Sequence, residues 1–353
     1  MGLFDLFKSN KSAQLPKGAH ELVVSHVKPL TTEAVQISFE IPEALNKSFQ
    51  FQAGQYLTLQ VEIDGKPERR SYSICSGPNE PLSIGVKRLE GGKVSSYLQK
   101  VQAGQSLVVF EPEGNFLLQP AHKKVVALAA GSGITPIMSM LKSAGSDTHF
   151  QLIYGNKSPE LTLFLNDIQA QSNTTLVPFY SQAKVEAAHE GRIDEAQFKA
   201  LIKDDLSLLQ ADAYFLCGPQ AMVEMAEATL EFFGVAKSKI HKELFFATDA
   251  APAISAPAFS GKSHVKMMLE GDIVEFDMNG PDKSLLELAE KAGLDAPFSC
   301  RGGVCSSCRA KVLQGSAQMR INHALTDAEV ANGYILTCQA HATSENLIVS
   351  FDE

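Results

Sequence analysis

The chain has 353 residues, of which 44% are hydrophobic, and a formal charge of −9. That length suits two or three domains. No run of about 18 apolar residues offers a membrane span, and the acidic balance argues against nucleic acid as a partner, because phosphate binding needs a basic face.

The opening residues, MGLFDLFKSNKSAQ, lack the apolar core of a secretory signal, being broken by Asp5 and Lys8. Residues 1–17 read as a tail, and a cytoplasmic location is expected. From 18 to 119 come short β-rich runs: ELVVSHV, AVQISFEI, QYLTLQVEI, RRSYSIC, LSIGVKR and SLVVFEP. Gly54, Gly65, Gly77 and Gly104 punctuate the gaps. Closely spaced strands with turn signals predict a barrel, interrupted by one helix over 93–101. At Lys123 the pattern changes. KKVVALAA is a continuous apolar run, the mark of a buried parallel strand, and it alternates onward with helical stretches through FQLIYGN, TLVPFYS and AYFLCGP. The helices are expected over 158–171, 194–203 and AMVEMAEATLEFFG. This alternation predicts a doubly wound parallel sheet over 120–246. Residues 247–262 are Ala/Pro/Ser-rich and read as a linker. A third unit, 263–353, begins with a hairpin, HVKMMLE-GD-IVEFDM. An amphipathic helix, SLLELAEKAG, is closed by Gly293, and strands RAKVLQG and LIVSF follow. This unit holds 13 Asp and Glu against 7 Lys and Arg. Such a surface serves solubility or speeds docking of a basic partner.

Four of the six cysteines fall in the third unit, as Cys300-x4-Cys305-x2-Cys308 and Cys338. In a cytosolic chain such clustering favours metal over disulfides. The spacing is that of plant-type 2Fe–2S centres, whereas zinc sites usually present paired C-x2–4-C or C…H ligands. Gly302 and Gly303 permit the backbone to wrap closely, and nearby N–H groups can face the sulfurs.

Weaker motifs precede it. GSGITP, Gly131 to Pro136, follows a strand and opens a helix, where phosphate is favoured; a plain tight turn is the alternative. CGP, Cys217 to Pro219, ends a buried strand on the ligand side of such a sheet, or is simply a buried cysteine before a turn. RSYS, Arg70 to Ser73, sets a cation that can bind pyrophosphate beside an aromatic ring. GKVS, Gly92 to Ser95, precedes a helix, and PEGNF ends the barrel at Phe116.

In this order, R-x-Y-S, G-x-x-S, P-x-G-x-F, G-x-G-x-T-P and C-G-P resemble the ferredoxin–NADP reductase superfamily. The cysteine-rich end resembles a fused plant-type ferredoxin domain. Within that superfamily RRSYSIC, EGGKVSSY, AAGSGITP, IYGN, EGRID, FLCGP, GGVCSSC and LTCQA are similar to the reductase subunits of bacterial phenylacetyl-CoA epoxidases. The resemblance implies an FAD-binding β-barrel, an α/β NAD(P) domain and an α+β, β-grasp ferredoxin domain. It implies that Arg70, Ser71, Tyr72 and Ser73 bind FAD, with Tyr72 against the isoalloxazine. Gly92, Lys93, Val94 and Ser95 would hold the pyrophosphate, and Phe116 would add an aromatic. Gly131, Gly133, Ile134, Thr135 and Pro136 would meet the NAD(P) pyrophosphate. Cys217, Gly218 and Pro219 would sit by the nicotinamide, with Cys217 and Tyr72 nearest the reacting atoms. Glu243 and Phe245 loosely match an E-x-F near the flavin. Lys157 and Arg192 are candidate donors to a 2′-phosphate; NADPH is favoured on the resemblance, although Ser181-Gln182 stands where many NADP-binding relatives have Ser-Arg, so NADH stays open. Cys300, Cys305, Cys308 and Cys338 would ligate the cluster.

Nicotinamide gives two electrons together as hydride, and an iron–sulfur cluster takes one at a time. A flavin between them accommodates both, and the protein positions the groups. The implied partner is a di-iron oxygenase component. The alternatives are a reductase for a ring-hydroxylating dioxygenase or for hybrid-cluster protein. From another class, a redox sensor or a metal-stabilised binding module remains.

Overall fold

The computed structural model describes residues 15–245 and 261–353. Most of the expected tail and of the linker at 247–262 lies outside the described residues.

The first unit contains β1 (Ala19–Thr31), β2 (Ala34–Glu40), β3 (Tyr56–Ile63), β4 (Lys66–Ser73), β5 (Ser83–Lys87), α1 (Lys93–Leu98) and β6 (Ser106–Phe110). They pair antiparallel in the order β4-β3-β6-β1-β2-β5. A bridge between Ile74 and Ile84 brings the two ends together, closing the barrel. Alternation along the strands sends Leu22, Val24, Ile37, Leu57, Leu59, Ile84 and Val109 inward as its core.

The second unit contains β7 (Lys124–Ala130), α2 (Ile134–Ser143), β8 (His149–Asn156), α3 (Leu165–Gln169), β9 (Thr174–Tyr180), β10 (His189–Glu190), α4 (Glu195–Asp204), β11 (Ala213–Cys217), α5 (Gln220–Phe232) and β12 (Ile240–Glu243). The sheet order is β10-β9-β8-β7-β11-β12, all parallel. Val125 to Ala129 are buried, as the unbroken apolar run predicts for a strand covered on both faces. The helix expected over 158–171 is split. A 3-10 turn at Pro159–Leu161 is followed by α3, because Phe164 takes a left-handed conformation that redirects the chain and buries its ring. The edge strands β10 and β12 are too short to leave a readable pattern.

One apolar cluster spans the first two units. Ala34, Cys75 and Phe116 from the barrel pack with Ile137, Met138, Met140 and Phe164. Gly54 and Gly85 show how close this seam is. A Cβ on Gly54 would lie 2.8 Å from Met140 Cε, and one on Gly85 2.5 Å from Thr135 Cγ2.

The third unit contains β13 (Lys262–Leu269), β14 (Asp272–Asn279), α6 (Leu285–Lys291), β15 (Arg309–Gln314), β16 (Ala317–Met319), α7 (Asp327–Ala331), β17 (Tyr334–Leu336), β18 (Ala340–Ala342) and β19 (Asn346–Ser350). Its main sheet runs β14-β13-β19-β15-β17, with only β13 and β19 parallel. α6 opens with a Ser284–Glu287 capping box. It closes as expected at Gly293, whose φ is +96°, with Leu294 N–H bonded to the Ala289 carbonyl. Among the described residues no helix is long and apolar enough to cross a membrane.

Candidate functional site

A cavity of about 660 Å3 opens where the three units meet, within the size range of cofactor sites. The barrel gives it Arg70, Ser71, Tyr72, Ser73 and the turn Gly92–Ser95; the second unit gives Ser132, Thr135, Glu243 and Phe245. The third gives Cys300, Arg301, Gly302, Val304, Cys305 and Arg320.

β4 carries Arg70 and Tyr72 on alternate positions of one face. The Arg70 guanidinium is half exposed and among the described residues has only Glu68, 3.4 Å away, as a charged partner, leaving donors for an anion. Burial raises the Tyr72 phenol above its ordinary range against the pull of Arg70, so the ring is neutral and serves as a flat surface. Gly92 caps α1. Ser95 holds this turn by accepting from Leu89 N–H and donating to the Gly92 carbonyl. The Lys93 ammonium turns outward to Asp64 at 2.8 Å, so Lys93 faces the cavity through its backbone. This arrangement of aromatic, cation and free N–H groups fits a flavin nucleotide.

Glu243 sits at the end of β12, opposite Cys217 in the register, and accepts from Ser73 Oγ at 3.3 Å. Burial pushes its carboxyl up to about 8, against that hydrogen bond, so it is largely protonated at neutral pH. A carboxyl raised in the folded state loses stability as pH climbs through the interval between its unfolded and folded values. Thermal stability should therefore fall between about pH 5 and pH 8, at a scale of about 2 kcal/mol, since the cavity side of the carboxyl retains solvent. Melting curves of Glu243→Gln should lack that part of the fall; an unchanged pH profile would contradict the assignment.

The GSG and CGP motifs touch back to back. A Cβ on Gly133 would lie 2.1 Å from the Cys217 carbonyl oxygen, and one on Gly218 3.2 Å from Ala130 N at the end of β7. These glycines let the ends of β7 and β11 close together, and Gly131, at φ +54°, turns the chain between strand and helix. Of GSGITP, Ser132 and Thr135 reach the cavity, while Ile134 and Pro136 are buried in α2. Cys217 is fully enclosed, and burial, then Glu243, drives its thiol upward. Lys157 and Arg192 lie outside this cavity. They stand at the ends of β8 and β10, near Ser181 and Gln182, on the same carboxyl edge of the sheet. Lys157 has Glu33 at 3.9 Å, and Arg192 is exposed. Phe116 does not line the cavity. It packs edge-on against Phe215 at 5.1 Å in the seam between units.

The cysteine loop folds around left-handed residues, Arg301, Gly303 and Ser306. At Gly303 a Cβ would also crowd the Gln339 side chain and the Ile321 carbonyl, both at 3.1 Å. Gly302 N–H lies 3.3 Å from Cys300 Sγ, and Cys300 N–H 3.4 Å from Cys305 Sγ. The neighbouring Cys305 thiol, then loop N–H groups, draw Cys300 down to about 6 against burial, while the same contact drives Cys305 upward. Thr337 bonds twice to the Cys308 carbonyl, which sets Cys338 beside Cys308. The thiols thus form two couples, Cys300 with Cys305 and Cys308 with Cys338, and among the described residues no three ligand side chains converge on one ion. Two couples suit two irons, one couple each, better than a single tetrahedral zinc.

The motifs gave no sign of the barrel residues that hold this loop. Tyr56, Arg69 and Glu113 contact Cys305, Asp295 and Ser307. Glu113 lies within PEGNF, but its partner is 194 positions away.

Comparison with known proteins agrees with each unit. Family models match for an oxidoreductase FAD-binding domain at residues 21–117, an oxidoreductase NAD-binding domain at 127–228 and a 2Fe-2S iron-sulfur cluster binding domain at 267–343. The chain is 35% identical to a subunit of the 1,2-phenylacetyl-CoA epoxidase of Escherichia coli (strain K12), over 94% of this chain and 98% of that one. It is 32% identical to the ferredoxin reductase component of 3-ketosteroid-9-alpha-monooxygenase of Mycolicibacterium smegmatis, over 96% and 99%. The fold is that of phthalate dioxygenase reductase (TM-score 0.60, 23% identity, 95% of this chain and 98% of that one). It also matches part of a type IV self-sufficient cytochrome P450 monooxygenase (TM-score 0.69, 21% identity, 94% of this chain and 41% of that one). With flavin, nicotinamide and cluster modules in one chain and relatives aligned along nearly its whole length, the protein belongs to the family of three-domain iron–sulfur flavoprotein reductases, NAD(P)H-dependent oxidoreductases that transfer electrons.

Proposed function

We propose that this reductase supplies electrons to the oxygenase component of a phenylacetyl-CoA epoxidase, a di-iron protein, in the cytoplasm. The observation carrying this reading is the 35% identity to a phenylacetyl-CoA epoxidase subunit over 98% of that subunit's length. The domain limits belonging to this reading are those expected from the sequence: tail 1–17, FAD barrel 18–119, NAD(P) domain 120–246, linker 247–262 and ferredoxin domain 263–353.

Bound together, the cofactors turn one hydride from NAD(P)H into single electrons for the acceptor. Arg70 and the backbone of Gly92–Ser95 hold the FAD pyrophosphate, and Tyr72 packs on the isoalloxazine. Ser73 and the protonated Glu243 form a neutral, hydrogen-bonded wall at the same ring. Gly131–Pro136 and Cys217–Pro219 shape the nicotinamide crevice, where Cys217 contributes its backbone position and small buried thiol. Lys157 and Arg192 offer cations to a 2′-phosphate, which favours NADPH. Cys300, Cys305, Cys308 and Cys338 hold the cluster.

The test is reconstitution. Purified reductase should support NADPH-dependent epoxidation of phenylacetyl-CoA by that oxygenase component. Support for a ketosteroid monooxygenase but not for the epoxidase would overturn the choice of partner, leaving the reductase itself intact.

A further inference from the structure

One face of the β3–β4 hairpin is polar where a barrel wall would ordinarily meet water. Tyr56, Thr58 and Gln60 alternate on β3, and they stand opposite Ser73, Ser71 and Arg69 on β4. The third unit covers this face. The Tyr56 hydroxyl donates to the Cys305 carbonyl and lies 3.0 Å from Ser307 Oγ. Ser307 in turn donates to Glu113 Oε2 at 3.1 Å. Ser71 Oγ meets Ser299 Oγ at 2.7 Å. Arg69, 6% exposed, lies between the rings of Phe110 and Phe298 and reaches Asp295 at 3.4 Å. Ser299 immediately precedes the first ligand, and Ser307 immediately precedes the third. The contacts therefore grip the ligand loop itself rather than a remote part of its domain.

The ligands are also oriented. Cys308 and Cys338 are buried, 2% and 6% exposed, within the core of their own unit. Cys300 and Cys305 line the cavity shared with Tyr72. A cluster held by these four thiols would be approached from the flavin site past Cys300 and Cys305, and Tyr56 bonds to Cys305.

We propose that Tyr56, Glu113 and Ser307 form a latch that positions the cluster loop against the flavin site for electron loading. They are positioning residues, acting through Cys305 and the loop. This rests on the flavin–cluster relay already described. NAD(P)H delivers both electrons as hydride; single electrons then pass from reduced flavin to the cluster, one ferric iron becoming ferrous. Electron transfer decays steeply with separation, so loosening the latch slows that passage and leaves the hydride step alone.

The experiment uses holoprotein carrying both cofactors, with iron and sulfide content measured. Tyr56→Phe keeps the ring and removes the hydroxyl; Glu113→Ala and Ser307→Ala remove the other bonds, and Ser307→Thr restores a hydroxyl. In anaerobic stopped flow with NADPH, flavin bleaching should stay within about twofold of wild type. Cluster bleaching should slow roughly tenfold or more, the scale of a small misplacement between reacting groups, and Ser307→Thr should recover most of the rate. Hydrogen exchange of the amides at 300–309 should accelerate in the slow variants, and the cluster's midpoint potential should not move. Cluster bleaching at the wild-type rate in fully loaded Tyr56→Phe and Glu113→Ala would overturn the latch. So would slowing that a changed potential or lost cluster accounts for. Failure of flavin bleaching in the wild type would instead count against the relay.

Discussion

Replacing Cys305 with alanine should remove the iron and acid-labile sulfide while leaving a flavoprotein that NAD(P)H still reduces. Cys305 shares one couple with Cys300, and the loop N–H groups are arranged around those two sulfurs. Three thiolates leave one iron short of a ligand, and binding free energy is tied to ligand number. Electron delivery to the protein acceptor should fall roughly 100-fold or more. Flavin bleaching by NADPH should keep its rate within about twofold, because no cysteine of the loop is required for hydride transfer. Iron and sulfide analysis, with flavin absorbance in the same sample, reads both halves. Retention of a full cluster would mean that another residue completes the site.

Gly133→Ala should produce the other large effect, on folding and coenzyme binding together. The added methyl would lie 2.1 Å from the Cys217 carbonyl oxygen, 2.5 Å from its carbon and 3.0 Å from Gly218 nitrogen. All three are backbone atoms at the end of a central strand, so no side-chain rotation relieves the clash. β7 and β11 must move apart where they are paired through Ala129 and Cys217. A destabilisation of about 3 kcal/mol is expected, at the upper end for overpacking. NADPH should saturate flavin reduction only at much higher concentration, because the crevice lies at this junction. Gly131→Ala makes a useful contrast. At that position the nearest atom to an added methyl is Lys87 Nζ at 3.7 Å, so the penalty comes from the left-handed backbone alone, about 1 kcal/mol. Equal melting temperatures for the two variants would contradict the packing argument.

These two sites also show what the sequence could disclose. The cysteine spacing is local. Three ligands within nine positions need a loop around a cluster, and no long-range information is required to see it. The unbroken apolar strand at 124–130 and its alternation with helices are likewise local patterns, and they fix the doubly wound sheet. Gly133 is legible as part of a phosphate-binding turn, but its contact with Cys217 depends on two strands separated by more than eighty residues. The same holds for Glu243, whose carboxyl is raised by burial at the end of β12, against the hydrogen bond from Ser73 of the barrel. β12 is four residues long, too short for a periodic signal. Phe116 reads as a cofactor contact in the sequence, yet it fills the seam against Phe215. An aromatic at the end of a barrel has either fate, and only the neighbouring unit decides. Tyr56, Arg69 and Glu113 carry no motif of their own for this role, since their partners lie on a domain joined through a distant part of the chain.

One chain carrying electrons from nicotinamide through flavin to the cluster must show all three in a single titration. The decisive measurement is an anaerobic titration of the purified holoprotein with NADPH, followed by visible absorption. Flavin and cluster bands should both bleach, and completion should need more NADPH than the flavin alone would consume. A parallel titration with NADH identifies the better donor. A flavin that bleaches fully while an intact, loaded cluster stays oxidised would contradict the relay.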